Sequence, residues 1–280
     1  MSNLTNYHSH CLYCDGRANM EEFVRFAIGE GFTSYGFSSH APLPFSTAWT
    51  MEWEDMTDYL REFARMKTKY KDQIELAVGL EIDYLNDEHH PGATCFQALP
   101  LDYRIGSVHL LPDVKGEIVD VDVSAEVFKT LMRDHFENDV KGVVQLYYQR
   151  LRRMMTLGGF DILGHADKIH YNAEAVRPGI LDEPWYEALM ADYFSDIASK
   201  GYIVEINTKA HRELHTFYPN ERYFSMMREL GIRVQVNSDA HYPERINHQR
   251  RIALDHLKQV GYQTVVERHH EKWVDCPIVD

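Results

Sequence analysis

Positive charge is the first shortage. The 280 residues carry 29 Lys and Arg against 43 Asp and Glu, a formal net charge of −14. A partner gripped through its phosphate backbone needs a basic surface, so nucleic acid is not expected. A small anionic substrate stays open, because bound cations reverse the field locally. Long apolar runs are missing as well. No stretch nears the ~20 residues of a membrane span, and Met1-Ser2-Asn3-Leu4-Thr5 lacks the basic and apolar regions of a signal peptide. The expected setting is cytoplasmic, without a membrane partner. The four cysteines, Cys11, Cys14, Cys95 and Cys276, form no small-domain disulfide framework. Cys11 and Cys14 do make a C-x-x-C, which raises a redox pair or half a zinc site. No second C-x-x-C follows it, and the flanking histidines offer a simpler account. A glycine-rich phosphate loop after an early strand, the mark of a dinucleotide-binding sheet, is absent too.

What is present is alternation. Short apolar runs with strand character recur at 4–10, 34–40, 74–84, 103–109, 160–165, 202–208 and 232–241. Between them lie amphipathic stretches at 19–30, 55–70, 125–137, 139–157, 184–199, 221–230 and 246–260, several closed by glycine. Residues 42–53 form a Pro-, Trp- and Phe-rich loop, either a lid or local packing. Residues 112–125 read as a loop or short hairpin, and the tail around Trp273 as a final strand or a strap. His89-His90-Pro91 reads as a solvated turn, since neighbouring side chains on an extended chain point apart. No repeat or linker interrupts residues 1–280, so one domain is expected. Strand–helix alternation implies a parallel α/β sheet, and the length suits an α/β barrel.

The strand ends favour the barrel. His8, His10 and Asp15, then His40, Glu81, His109, His165, and finally Asp239 and His241 all stand at or just past a strand terminus. In a barrel such ends converge on one mouth, whereas an open sheet strings them along an edge. His8 and His10 share a face if the first strand runs through them, by the period of two. Any one histidine could be an ordinary polar residue near a loop. All these groups together at one mouth call for divalent cations. At about four to six ligands per ion, counting water, they suffice for two or three. Imidazole with carboxylate suits Zn, Fe or Mn better than Ca or Mg.

His8-x-His10 with Cys14-Asp15-Gly16, His40, Glu81, His109, Gly164-His165-Ala166-Asp167 and Asn237-Ser238-Asp239-Ala240-His241 together resemble the PHP (polymerase and histidinol phosphatase) superfamily. Gly79-Leu80-Glu81-Ile82-Asp83, Gly106-Ser107-Val108-His109 and Glu205-Ile206-Asn207-Thr208 resemble its histidinol-phosphate phosphatase branch. The resemblance implies a distorted seven-stranded (β/α) TIM-like barrel with a trinuclear metal centre. It also implies hydrolysis of L-histidinol phosphate in histidine biosynthesis, by a metal-bridging hydroxide. His8, His10, Glu81 and Asp239 would gather one ion, with Glu81 bridging to a second held by His109 and His165. Asp15, His40 and His241 would hold the third. Arg212 would grip phosphate, with Asp239 and His241 also serving catalysis. Ser107, His40 and Lys168 would face substrate. The branch has a second basic group soon after Gly-His, where this chain has Lys168 and His170; Arg177 is a further cation, read as a solvated charge. The expected partner is a small phosphorylated molecule, and the chain a monomer or small homo-oligomer. The rivals are a phosphoesterase for another small ester, an amidohydrolase-type barrel, and a non-catalytic metal-binding barrel. The second usually carries a lysine at a strand end, found here only as Lys209 beyond Thr208.

Overall fold

The structure is a computed structural model, and it describes residues 3–279. In chain order the strands are β1 (Thr5–Asn6), β2 (Ser34–Phe37), β3 (Glu75–Asp83), β4 (Tyr103–Ser107), β5 (Leu110–Pro112), β6 (Ile118–Asp120), β7 (Ile162–Leu163), β8 (Ile203–Asn207), β9 (Val234–Asn237), β10 (Thr264–His269) and β11 (Lys272–Pro277). Seven of them form a parallel sheet in the order β1-β2-β3-β4-β7-β8-β9. The sheet curls until its outer strands meet. There the ladder gives way to a parallel bridge between Ser9 and Ala240, with His10 N donating to Ala240 O at 2.9 Å. Two asparagines finish the seam: Asn237 Oδ1 accepts from Tyr7 N, and Asn6 Oδ1 accepts from Ser238 N. The result is a nearly closed seven-stranded barrel.

Alternation within the strands sorts the side chains. On β3, Leu76, Val78, Leu80 and Ile82 face out and join the cluster that includes Tyr59, Phe63 and Met66 of the helix Met56–Tyr70. Ala77, Gly79, Glu81 and Asp83 take the other face. The same parity on β4 and β8 stacks the barrel interior in layers. Ala77, Tyr103, Ile105, Ile162 and Ile203 form an apolar floor. Glu81, Ser107, Glu205 and Asn237 lie buried toward the C-terminal ends. Full burial of such large apolar side chains contributes about 1.5–3 kcal/mol each. The floor therefore anchors the barrel, and the polar layer is free for chemistry.

The tail is an antiparallel hairpin, β10–β11, strapped across the floor. Trp273 stands edge-on to Tyr7 at 5.0 Å and to Tyr103 at 5.8 Å. Arg268, buried on the same strap, bonds Glu75 and Asp102. Residues 110–120 form a second hairpin, β5–β6, at the opposite end, rising from the mouth after His109.

Several boundaries differ from the sequence reading. Only Thr5–Asn6 of the first strand is in the ladder, because the seam replaces it beyond Tyr7. The helix Ile169–Val176 fell in a stretch read as loop; it is short, and its buried face is only Ile169, His170, Asn172 and Ala173. The stretches at 221–230 and 246–260 narrow to helices Phe224–Glu229 and Arg250–Gln259. His90 is buried and not solvated, its Nδ1 accepting from Gly92 N within its own turn, while His89 packs edge-on against Phe96. No helix among the described residues is long and apolar enough to cross a membrane.

Tyr103 tests this architecture. Its hydroxyl donates to Tyr7 O at 2.6 Å and Phe37 O at 3.0 Å, tying β1 and β2 from inside. A Cβ on Gly79 would lie 2.8 Å from the Tyr103 ring and 2.7 Å from its carbonyl oxygen. Tyr103→Phe removes the hydroxyl shared by these two buried carbonyls and is expected to cost about 1–3 kcal/mol. Gly79→Val adds a clash against backbone and is expected to cost more. Urea denaturation of the two variants checks the order, and an unchanged midpoint for Gly79→Val would contradict this packing.

Candidate metal centre

The nine strand-end groups converge at the barrel mouth around one carboxylate, Glu81, which is 1% exposed. Its Oε2 lies 3.0 Å from His8 Nε2, 3.0 Å from His40 Nδ1 and 3.6 Å from His10 Nε2. Its Oε1 lies 2.7 Å from His165 Nε2 and 3.5 Å from His109 Nε2. Asp239 Oδ1 stands 3.2 Å from His10 Nε2 and 3.6 Å from His241 Nδ1. Asp15 reaches the outer side, with Oδ2 at 3.2 Å from His241 Nε2 and Oδ1 at 3.9 Å from His40 Nε2.

Backbone conformation helps to aim these groups. His165 and Asp239 have φ of 23° and 48°, in the left-handed region that non-glycine residues avoid. Such strain persists where the surroundings fix it. Here His165 N donates to Glu205 Oε2, and the residue before Asp239 is held through Asn6. Asp15 is placed by a close turn: a Cβ on Gly16 would lie 2.3 Å from the His10 carbonyl carbon.

A further set of contacts prepares the imidazoles. His8 Nδ1 lies 2.6 Å from Glu205 Oε1, His109 Nδ1 3.0 Å from Asp83 Oδ2, and His241 Nδ1 3.1 Å from the Asp239 carbonyl. Each acceptor fixes the proton on Nδ1 and leaves the Nε2 lone pair facing the centre, the tautomer a metal ligand needs. His10 Nδ1 is in contact with Cys14 Sγ at 3.6 Å, and the cysteines are all free, so the C-x-x-C serves as a wall of this turn.

The electrostatics show what the site lacks. Burial would push the His8 ring down, yet Glu205, Glu81 and Asp239 together hold its pKa well above the usual histidine value. Burial holds His10 well below that value, aided by His40 and His241. Burial would raise Glu81, but His8, His40 and His109 hold it well below the carboxylate range. His109 is pushed up to about 9, where Asp83 and Glu81 outweigh its burial. The carboxylates thus demand cationic charge that the crowded imidazoles cannot all carry. His8 Nε2, His10 Nε2, His40 Nδ1, Asp15 Oδ1 and Glu81 Oε2 are buried without hydrogen-bond partners. Orphaned buried donors and acceptors are rare and call for an explanation. Three overlapping groups have ligand atoms mutually within 4.8 Å: His10, Asp15, His40, His241; His8, His10, Asp239; and His40, Glu81, His109. The residues present therefore fit divalent transition-metal ions, and imidazole with carboxylate suits Zn, Mn or Fe.

The residues expected to face substrate fare differently. Ser107 is fully buried, and its hydroxyl donates to Glu81 Oε1 at 2.7 Å. It orients the carboxylate from below, and this corrects its reading as a substrate contact. His40 keeps an open side, against Trp49 at 4.8 Å. Lys168 bonds Asp122 at 2.5 Å near the mouth. His170 is buried with Asp167 at 3.2 Å, and Arg177 pairs with Glu183 on the surface. Arg212 lies exposed on the short helix His211–Leu214 and makes no hydrogen bond or ion pair with the described residues. Lys209 stands at the mouth, with Nζ 3.2 Å from Asp239 Oδ1 and 40% of its side chain exposed. The sequence reading passed over Lys209, Asp83 and Glu205 as site residues. Lys209 was visible as a charge directly after a strand. Glu205 and Asp83 share the inward parity of the candidate ligands, but nothing local says which group they serve.

This fold and mouth define a metal-binding (β/α) barrel. A PHP domain model matches residues 6–209, and the chain belongs to that family. Over 97% of its length it is 26% identical to a protein named "Probable histidinol-phosphatase" from Deinococcus radiodurans, covering 99% of that relative. A protein of the same name from Schizosaccharomyces pombe is 27% identical over 91% of this chain and 86% of its own. Among solved structures, one from Listeria monocytogenes superposes with a TM-score of 0.79 at 21% identity, covering 89% of this chain and 99% of that one. The histidinol phosphate phosphatase of Lactococcus lactis, solved with zinc, L-histidinol and phosphate, gives 0.65 at 18% identity, with 96% and 98% covered.

Glu81→Gln should lower bound metal by at least one ion per chain, read by elemental analysis of purified protein. Glu205→Gln, whose carboxylate meets the His8 ring at Nδ1, away from the centre, should weaken zinc binding by about 10–100-fold. Equal metal affinity in the two variants would contradict the placement of Glu81 at the centre and Glu205 behind it.

Proposed function

We propose that this protein is a metal-dependent phosphomonoesterase that hydrolyses L-histidinol phosphate to L-histidinol and phosphate. The observation that carries the reading is the convergence of six histidines and three carboxylates on one mouth, with five of their ligand atoms buried and unpaired. Its support is the family and the two histidinol-phosphatase relatives matched over nearly the whole chain.

His8, His10, Glu81 and Asp239 would hold one ion. Glu81 would extend to a second with His109 and His165. Asp15, His40 and His241 would hold a third, and the 3.0 Å approach of His40 to Glu81 ties that group to the others. When bound, such ions supply an activated water and positive charge for the phosphoryl oxygens. The chain does the rest. Lys209 brings its ammonium to the mouth beside Asp239 and is placed to bind a phosphate oxygen. Burial would raise Asp239, but Lys209 and then His8 hold it well below the carboxylate range, so it stays ionised. Because it stays ionised, Asp239 is placed to take the proton given up by the attacking water and return it to the departing alkoxide. Ser107, Asp83 and Glu205 keep Glu81, His109 and His8 aimed.

Chelator-treated protein should lose turnover of histidinol phosphate and regain it with Zn, Mn or Fe. A panel including a nucleotide and a sugar phosphate measures preference; faster turnover of either would replace the substrate named here. Lys209→Ala should raise KM about tenfold or more, as loss of a charged hydrogen bond does, and more than Arg212→Ala does. The reverse order would return the phosphate grip to Arg212.

A further inference from the structure

At the end of the barrel away from the mouth, the β10–β11 strap carries a second set of metal-ligating side chains. Glu267, His269 and Cys276 have ligand atoms mutually within 4.8 Å. Strand parity puts them together. Glu267 and His269 stand two residues apart on β10 and so share a face. Cys276 pairs with Val265 across the antiparallel ladder, and paired residues share a face, here the one that Glu267 takes. The opposite face carries Val266 and Trp273 onto the apolar floor. One face of the hairpin thus packs the barrel, and the other gathers a carboxylate, an imidazole and a thiol.

The charge of this group is incomplete. Glu267 is 2% exposed, and among the described residues its ion-pair partner is His269, with Nε2 3.0 Å from Oε2. Its Oε1 accepts from Asn3 Nδ2 at 2.7 Å, a neutral donor. Arg250 feels the field of Glu267 but gives its hydrogen bonds to Val236 O and Asn6 Oδ1. A buried carboxylate so placed is costly without a cation. Cys276 is buried, and burial followed by Glu267 pushes its thiol up to about 11, so it holds its proton at neutral pH. His269 is partly exposed and opens the group to solvent.

We propose that Glu267, His269 and Cys276 form a second metal site, which takes one zinc ion and joins β10 to β11. The site goes beyond the phosphatase reading and does not depend on it. Thiolate with imidazole favours zinc over Mn, Mg or Ca. At zinc's bond lengths of about 2.0–2.3 Å, atoms already this close need only small shifts. When the ion binds, the Cys276 S–H bond gives way to S–Zn and the proton leaves to solvent. Two positive charges then meet one thiolate and one carboxylate, and the group is neutral. Three protein ligands leave one position for water.

Cobalt(II) reads this site apart from the mouth. A thiolate on cobalt gives a near-ultraviolet charge-transfer band, and none of the ligands assigned at the mouth is a thiol. Metal-free protein titrated with cobalt should develop that band to one thiolate–cobalt bond per chain. Cys276→Ser should abolish it. His269→Ala, at a partly exposed position, should shift its midpoint by at least about tenfold. Glu81→Gln, Cys14→Ser and Cys95→Ser should keep it. Absence of the band in wild type overturns the site, whatever the hydrolysis does, and needs no variant. A band that survives Cys276→Ser, or that vanishes with Cys14→Ser or Cys95→Ser, puts the thiolate elsewhere and overturns it too. An unmoved midpoint in His269→Ala removes the imidazole from the site and the site with it. The expected band in protein that hydrolyses no phosphate ester supports the site while the phosphatase reading falls.

Discussion

Everything at the mouth is arranged about the burial of one carboxylate. Glu81 sits at the end of the longest strand, with five imidazoles within 3.6 Å of its two oxygens and the Ser107 hydroxyl beneath. An ionised group in such a place is tolerable only if positive charge surrounds it. Protonated imidazoles could supply some, but burial, aided by His40 and His241, holds the His10 pKa well below the usual histidine value. The remaining demand is for ions of higher charge density. The layering of the barrel follows from the same constraint. The apolar floor of Tyr103, Ile105 and Ile203 stabilises the strands, so the layer above can afford a concentration of polar groups that would unfold a smaller core.

The outward faces of the imidazoles matter as much as the inward ones. Glu205 accepts from His165 N, Asn207 and Asn237 as well as facing His8. One buried carboxylate therefore locks the tautomer of His8, the strained backbone at His165 and the β8–β9 junction. Asp83 does the same for His109, accepting from its backbone N and its ring. The directions of the His8 and His109 rings depend on these two residues. Both lie two residues along a strand from another inward polar group, as the period of a strand requires.

That periodicity explains what could be read from the chain alone. The α/β alternation showed because each barrel strand is a short apolar run ended by turn chemistry. The convergence of candidate ligands showed because strand ends meet in a barrel, so His40, His109 and Asp239, far apart in sequence, had one shared destination. Long-range pairing hid the rest. Nothing near Glu205 announces that its partner is His8, 197 residues away. Ser107 looked like a substrate contact because it stands at a strand end, but parity turns it inward beneath Glu81. Arg212 stood as the phosphate cation because it matches the arginine that follows this motif in the family that the chain resembles. The turn into the helix at His211 carries it outward and leaves Lys209 at the mouth. The seam between β1 and β9 was equally hidden, since it runs through asparagine side chains and not through a ladder.

The shortage of basic residues takes on meaning at this mouth. A chain of net charge −14 repels a phosphate ester over most of its surface. Attraction must be local, and bound cations with Lys209 concentrate it at one point. Asp120 and Asp122 keep the rim beside that point acidic, and Lys168 cancels only the second. The mouth is thus unevenly charged: an incoming anion meets Lys209 on one side and two acidic side chains on the other.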